Sequence, residues 1–327
     1  MNSPATTAKL RWLYLPWAIA TVVFLAYLLL WRAGAAEMKK AVVNWVQDQR
    51  AAGAEISYGA LKTDGFPFFL RVHIEQPDIA YADQFYWRTD LLTIDALPYD
   101  LNRLIFSAHS DQHLHFGRQG EWRIKTNDFR ISIANDKQRE WAFAMTVAGA
   151  TAVRSDGVKA SLEKLVLDAS PTASDKTIFT MSLEARGASV TDQTRKFDLD
   201  TVQTVMAASQ TPFLNNIQEW RDAGGMLLIN GFIANSGDAS LSVSGELAPD
   251  HQLYPAGTLH TEVKSPATFV QLLAEAGAID KEDVESISST LTLAAIANGG
   301  KLAAPIILKE GVVQVAGVTI AELGSID

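Results

Sequence analysis

The sequence predicts an α+β protein, with a single N-terminal transmembrane helix followed by a large, mostly antiparallel and curved β-sheet domain that carries a few packed helices. Three observations predict this class. Residues Leu13–Trp31 contain no charged side chain, apolar and polar residues alternate with a period of two in many later segments, and Gly, Asn and Asp recur between those segments. The 327 residues, 48% of them hydrophobic, suffice for a substantial core.

The apolar segment at residues 10–32 is long enough to cross a bilayer, because about twenty helical residues span the roughly 30 Å hydrocarbon layer. Aromatic side chains that favour the membrane–water interface lie towards its two ends: Trp12, Trp17, Tyr27 and Trp31. The sequence therefore predicts a tail at residues 1–9, which we expect to be cytoplasmic, and a membrane anchor at residues 10–32.

The charges on the two sides of the anchor are almost balanced, so the positive-inside rule does not fix the topology. Lys9 and Arg11 precede the anchor, and Arg32, Lys39 and Lys40 follow it. The short tail and the acidic character of the chain, whose net charge is −9, favour a cytoplasmic N-terminus and an exported C-terminal domain.

A cleaved signal peptide is the competing interpretation of the same segment. Ala33-Gly-Ala35 resembles a cleavage site between small residues. Because the apolar core of a signal peptide has about 7–15 residues and this one is longer, an uncleaved anchor is favoured. Both interpretations export the domain.

Composition excludes several kinds of function. The acidic net charge argues against nucleic-acid binding and against wide contact with anionic lipid surfaces. With no cysteine, the chain forms no disulfide, thiolate nucleophile or cysteine-based metal site. We expect no cofactor.

The segment after the anchor predicts a juxtamembrane amphipathic helix at residues 37–52. Its apolar residues recur at spacings of three and four, and Gly53 suits the end of a helix. An alternative is that this helix continues the predicted membrane helix without a break. Residues 53–327 form the predicted β-rich domain, with a soft division near residues 186–201.

Helical patterns interrupt the strands in two places. Val202, Val205 and Met206 begin a pattern that runs to Trp220 and suits one helix, or two broken at Thr211-Pro212. The second pattern covers residues 266–298, and Gly277 is expected to divide it.

One group of histidines has the residue types of a metal site. His109, Asp111, His113 and His115 occupy alternate positions, so in a single strand they would share one face. That face is predicted to be the solvent face, and four such residues span about 20 Å and cannot converge on one ion. His113 and His115 remain weak metal-ligand candidates, and no metal is predicted.

Catalytic signatures are missing from the sequence. It contains no Gly-x-Ser-x-Gly, no Gly-x-x-x-x-Gly-Lys and no His-Glu-x-x-His, and no pair of acids is singled out by its spacing. We therefore expect a protein that is not an enzyme.

Gly65-Phe66-Pro67-Phe68 has a clear structural logic. Gly65 permits a tight turn, Pro67 suits the start or edge of a strand, and the two phenylalanines are expected to clamp the preceding helix onto the sheet. Pro77 closes the following strand. We expect Phe68 to be buried.

The order of these features resembles the alphaproteobacterial family called "domain of unknown function 2125". Its members have an anchor, a short helix, Gly-Phe-Pro-Phe and a strand that ends in Pro-Asp; here Trp87 and Ala96-Leu-Pro-Tyr99 follow. The layout is loosely similar to AsmA-like envelope proteins, although this chain is far shorter than the large members of that group. The resemblance implies a single-pass protein of the bacterial inner membrane with its C-terminal domain in the periplasm.

Three hypotheses of function follow. The first is non-enzymatic binding of a lipid or an envelope protein in cell-envelope maintenance. The lipid bilayer that holds the anchor is a further predicted partner. The second is a structural or assembly factor that holds a membrane protein through Trp17, Tyr27 and residues 37–52. The third, an envelope hydrolase or metalloenzyme that uses His113 and His115, is the most remote.

Overall fold

The computed structural model confirms the predicted α+β architecture of one long helix followed by a large antiparallel sheet. It describes residues 8–82, 85–108, 111–117, 120–135, 141–192, 195–275, 282, 284–296, 300–315 and 318–324. Four α-helices lie in these ranges: α1 Ala8–Ala51, α2 Ile217–Asp222, α3 Pro266–Glu275 and α4 Val284–Ile296.

Twenty strands make up the described part of the sheet. The first ten are β1 Glu55–Ser57, β2 Leu61–Asp64, β3 Leu70–Glu75, β4 Asp78–Tyr81, β5 Phe85–Thr89, β6 Leu91–Leu97, β7 Asp100–Ala108, β8 Gln112–Phe116, β9 Glu121–Lys125 and β10 Asp128–Asn135. The others are β11 Trp141–Arg154, β12 Lys159–Thr172, β13 Asp175–Thr191, β14 Lys196–Ala208, β15 Leu227–Ser236, β16 Ala239–Pro249, β17 Pro255–Lys264, β18 Lys301–Lys309, β19 Val312–Val315 and β20 Val318–Glu322.

The sheet forks at β11. One branch runs β2–β3–β6–β7–β10 and pairs with the first half of β11, and the other runs β1–β4–β5–β8–β9 and pairs with its last four residues. From β11 an antiparallel meander continues to β20, with α2 inserted between β14 and β15 and with α3 and α4 inserted between β17 and β18. All of these pairs are antiparallel, and the sheet is open among the described strands.

Helix α1 joins the predicted anchor and the predicted juxtamembrane helix in one element. Its 44 residues are about 66 Å long, roughly twice the thickness of a bilayer core. From Tyr14 to Leu25 the apolar side chains are exposed on all sides, as in a helix that contacts lipid. The helix ends at Ala51, and Gly53 takes the left-handed conformation (φ 95°) that suits its place after a helix end.

The second half of α1 packs along β3 and forms the core of the domain with it. Trp31 and Ala35 are buried against Leu70 and Ala96, which are 1% and 4% exposed. Farther along the helix, Val42 packs against the cluster of Val72, Ile74 and Ile94. Because successive helix residues meet successive strand residues, α1 and β3 run in the same direction, away from the exposed half of α1.

The predicted clamp exists, but Phe66 forms it and Phe68 does not. The ring of Phe66 lies 5.8 Å from that of Phe24, 6.0 Å from that of Tyr27 and 5.5 Å from that of Trp31. Phe68 is 74% exposed, so the expectation of a buried Phe68 was wrong. The strand begins two residues later, at Leu70, and the alternation of buried residues therefore starts after Phe68.

Two further backbone contacts fix the turn that carries Phe66. The Tyr27 hydroxyl donates a hydrogen bond to the carbonyl of Pro67, and Trp31 Nε1 donates one to the carbonyl of Phe69 at 2.7 Å. Pro67 thus lies in a turn rather than at a strand edge, after a cis peptide bond. Pro77 is buried just before β4.

The prediction of one or two helices between Val202 and Trp220 was mostly wrong. Residues 202–208 belong to β14, where Val202 and Met206 face Ala185 and Met181 of β13. Pairing on both sides of this strand outweighs a spacing that suited a helix, and β-branched valines favour strands. The helical structure in this region consists of one turn of 3₁₀ helix at Thr211–Phe213 and the short α2.

The second helical pattern is confirmed as α3 and α4, while Gly277 lies outside the described residues. The proposed soft division near residues 186–201 spans the end of β13 and the start of β14. These two strands are hydrogen-bonded to one another from Phe179 to Thr191. The sheet is therefore continuous across this region in the described residues.

Two glycines bend the long strands of the sheet. Gly149 in β11 and Gly187 in β13 have φ of 57° and 58°, a left-handed conformation that is rare inside a strand, and the register places both opposite Glu163 of β12. On one side of this crease Val147 is 8% exposed, while Val153 beyond it is 46% exposed. The face of β11 that carries both valines is therefore buried before the crease and exposed beyond it.

We expect Gly149→Ala to lower the free energy of unfolding by about 1–2 kcal/mol, the usual cost of a left-handed conformation in a residue with a side chain. The added Cβ would also lie 2.1 Å from Nδ2 of Asn127, which must move. Thermal and denaturant unfolding measure the change. Gly231→Ala is the matched control, since its Cβ has no atom within 4 Å, and its stability should change by less than about 0.5 kcal/mol. Equal stability of the two variants would contradict a strained crease.

We expect Phe66→Ala to lower the free energy of unfolding by about 2–3 kcal/mol, less than for a fully buried phenylalanine because Phe66 is 36% exposed. Phe68→Ala should change it by less than about 0.5 kcal/mol. Unfolding of the detergent-purified protein measures both changes. A larger loss for Phe68→Ala than for Phe66→Ala would show that the turn packs in another way.

Candidate functional site

The candidate site is an apolar groove between α1 and the two branches of the sheet. It has a volume of about 960 Å³, near the upper end of the range of about 300–1,000 Å³ that is usual for small-molecule sites. Met38 and Trp45 line it from the helix, Ile94 and Phe106 from one branch, and Ile79 and Trp87 from the other.

Each wall of the groove follows from the local sequence. The helix presents residues at spacings of three and four to the groove, among them Gly34, Met38, Ala41 and Trp45. In β6, β7 and β10, residues at alternate positions face the groove, and cross-strand pairing aligns them: Ile94 faces Phe106, and Phe106 faces Ile131. Trp87 enters from the second branch because the fork at β11 brings that branch to the same side.

Few polar side chains line the groove. Among its lining residues, only Glu37, Ser57 and Tyr58 carry a polar group other than an indole. Nε1 of Trp87 donates to Oε1 of Gln112 at 3.1 Å, so its ring offers an apolar surface to the groove. A guest in the groove is therefore held by apolar contact rather than by hydrogen bonds.

A second, polar cavity of about 580 Å³ adjoins the outer end of the groove and shares Ile56 and Ser57 with it. Arg50, Asp78 and Tyr86 also line it. Burial, and then the negative charge of Asp78, raise the pKa of Tyr86, so its phenol stays neutral. Nε of Arg50 donates to the carbonyl of Ile56 at 2.9 Å, which joins the end of α1 to β1.

The predicted histidine array is not one strand. β7 ends at Ala108 and β8 begins at Gln112, and His109 lies outside the described residues. His113 and His115 share a face of β8, but His113 stands between Arg88 and Arg123 on the neighbouring strands, whose charges repel a metal ion. Nδ1 of His113 lies 3.5 Å from Oε1 of Glu121.

No three His, Asp or Glu side chains come together as a metal site in the part of the chain that the structure describes. The nearest approach to a catalytic array is Thr93–His73–Asp64, with distances of 3.1 Å and 3.0 Å between neighbours. Thr93 is only 7% exposed and lies outside the groove. We interpret this array as a cross-strand ladder on the face of β2, β3 and β6 that points away from the groove.

The predicted anchor and motif residues lie at one end of the groove. Tyr27 and Trp31 hold the turn of Phe66 and Pro67, while Trp17 is 75% exposed farther down the helix. Trp12 lies in the first turns of α1, and its side chain is outside the described residues. The sequence did not place the groove. Its signals were the apolar alternation of β6, β7 and β10 and the side chains of Trp45 and Trp87, which core packing explained equally well.

Helix α1 is the one described helix that is long and apolar enough to cross a membrane. Its place near the N-terminus fits a membrane anchor and a signal sequence alike.

Comparison with known proteins gives one match. Searches of curated proteins and of solved structures each find no match. Residues 31–323, nearly the whole chain beyond the anchor, match the family described as "Uncharacterized protein conserved in bacteria (DUF2125)". The chain therefore belongs to this uncharacterized bacterial family, DUF2125.

Proposed function

We propose that this protein is anchored in the bacterial inner membrane, exposes its β-rich domain to the periplasm, and binds the acyl chain of a lipid in the groove beside α1. The observation that carries the proposal is the groove itself, about 960 Å³ of space lined almost entirely by apolar side chains. The role is one of binding in the cell envelope, without catalysis.

The physical argument rests on packing. Protein interiors are close-packed, and an apolar space of this size leaves its lining without contacts. Transfer of each methylene group from water to such a site is worth about 0.8 kcal/mol. An unbranched acyl chain suits a groove that supplies contact along its length and few hydrogen-bond partners.

The packing of α1 supports an anchor that is retained. A cleavage after Ala35 would fall within the core, because Trp31 and Ala35 are 9% and 5% exposed against Leu70 and Ala96. It would also remove Tyr27 and Trp31, whose side chains hold the turn of Phe66. The domain thus uses residues that a signal peptide would take away.

The two alternatives have less support. An assembly factor would hold its partner through Trp17, Tyr27 and residues 37–52. Trp17 is 75% exposed, but Tyr27 already bonds Pro67, and Met38 and Val42 pack on the sheet. A metalloenzyme that uses His113 and His115 would need a cation beside Arg88 and Arg123.

A photo-crosslinking amino acid, p-benzoyl-phenylalanine, at Phe106 should give a covalent lipid adduct in living cells. Phe106 faces the groove, and the benzophenone would lie against the bound acyl chain. Mass spectrometry of the purified protein measures the adduct. The same group at Ile105, which points to the opposite side of β7, is the matched control and should give little adduct. Equal adducts at both positions, or none at Phe106, would contradict an acyl chain in the groove.

A second variant narrows the groove. Ala41→Trp places a large side chain in it from α1 and should reduce the Phe106 adduct about tenfold, which corresponds to about 1.4 kcal/mol of binding free energy. Ala36→Trp, on the same helix but outside the groove lining, should leave the adduct unchanged.

We expect the protein purified from membranes to keep residues 31–35, because they belong to the folded core. With a purification tag at the C-terminus, the intact mass distinguishes the uncleaved chain from one that begins at residue 36. A folded, stable product that begins at residue 36 would refute the retained anchor.

A further inference from the structure

We propose that the turn Gly65–Phe69 enters the bilayer beside the anchor, as a second membrane contact of the periplasmic domain. This inference rests on the retained anchor of the proposed function and is independent of what the groove binds. The partner is the hydrocarbon region of the leaflet on the side of the domain.

The first argument is depth along α1. Lys9 and Arg11 mark one boundary of the apolar segment, and Arg32 marks the other. From Arg11 to Trp31 the helix rises about 30 Å, the thickness of the hydrocarbon layer. Phe66 contacts Phe24, Tyr27 and Trp31, all of which lie within that span. Because Phe24 is seven residues from Trp31, the turn extends about 10 Å below the boundary.

The second argument is the surface of the turn. It contains no charged residue, and Phe66, Phe68 and Phe69 are 36%, 74% and 43% exposed. The β6–β7 turn lies next to it, because Ala96 pairs with Leu70, and it presents Tyr99 (84% exposed). In water these rings would expose a large apolar patch, whereas in lipid the same patch is favourable.

The third argument is the backbone, since an irregular turn in lipid must satisfy its own polar groups. The carbonyl of Gly65 accepts hydrogen bonds from the amides of Phe68 and Phe69, at 3.0 Å and 2.9 Å. The carbonyls of Pro67 and Phe69 accept from Tyr27 and Trp31 of the anchor, and Pro67 has no amide hydrogen. The anchor thus supplies donors that water would supply to an aqueous turn.

The fourth argument is where polarity begins. Immediately after the turn, Arg71 forms a bidentate ion pair with Asp95, at 2.6 Å and 3.0 Å, and its guanidinium lies 5.9 Å from the ring of Phe69. The hydrogen bond that Arg71 donates to the Asp95 carboxylate is the main reason that the pKa of Arg71 is raised. His73 and Lys62 continue this polar ladder outward. Aromatic rings below a row of paired charges form the profile of a membrane interface.

The test uses site-directed spin labels in the full-length protein, reconstituted in nanodiscs of phosphatidylethanolamine and phosphatidylglycerol. The chain contains no cysteine, so each label has a unique site without further mutation. Phe68→Cys reports the turn. Val23→Cys, 61% exposed on the anchor, reports the bilayer interior, and Tyr81→Cys, beside Gln49 near the far end of α1, reports water.

Collision rates with oxygen, which is enriched in lipid, and with a water-soluble nickel chelate give the depth of each label. We expect the oxygen-to-nickel ratio at Phe68→Cys to shift from that of Tyr81→Cys towards that of Val23→Cys. A ratio at Phe68→Cys equal to that of Tyr81→Cys, with Val23→Cys embedded, would overturn the inserted turn and leave the proposed function intact. A water-like ratio at Val23→Cys would overturn the anchor itself, and the inserted turn with it.

Discussion

The packing of Trp31 and Ala35 on Leu70 and Ala96 is the interaction on which the rest of the structure depends. It makes the end of the apolar half of α1 part of the domain's core, so the domain is joined to that half by burial rather than by a linker. The direction of α1 along β3 follows from this contact, and so does the position of the groove, whose roof is the next three turns of the same helix. A flexible connection at residues 33–36 would fix neither the distance between the domain and the exposed half of α1 nor the angle between them.

Much of the fold could be predicted because period and turn chemistry are local properties. Leu70, Val72 and Ile74 alternate as a half-buried strand should, and they are 1%, 0% and 7% exposed. The expectation that Phe68 would be buried failed. The alternating pattern of the sequence extends two residues before Leu70, into a turn whose geometry is set by hydrogen-bond donors from α1. At residues 202–208 a spacing of three and four coincided with β-branched residues, and two neighbouring strands decided the outcome.

The candidate site could not be predicted from the sequence, since it exists only through the fork at β11. One strand pairs with two branches, one on each side of Gly149, so that residues as far apart in the chain as Ile79 and Ile131 line one space. Ile79 and Trp87 of one branch face Phe106 and Ile131 of the other across that space. In the sequence these are ordinary core positions, and Gly149 is one glycine among 21.

The apolar surface of the groove does not stop at the residues beneath α1. Pairing carries it from Phe143 to Ala169 of β12, on to Met181 of β13 and then to Met206 of β14. Helix α3 contacts β14, β16 and β17 at the far end, as α1 covers the near end. Between these two helices, residues of the sheet such as Met145, Leu167 and Leu183 are half-buried. The proposed acyl chain would therefore meet further apolar side chains on this side of the groove. At the other side it would meet the exposed rings of Phe66 and Tyr99. The groove thus lies between the exposed aromatic turn Gly65–Phe69 and an extended apolar sheet, an arrangement that a tightly packed core would have no reason to keep open.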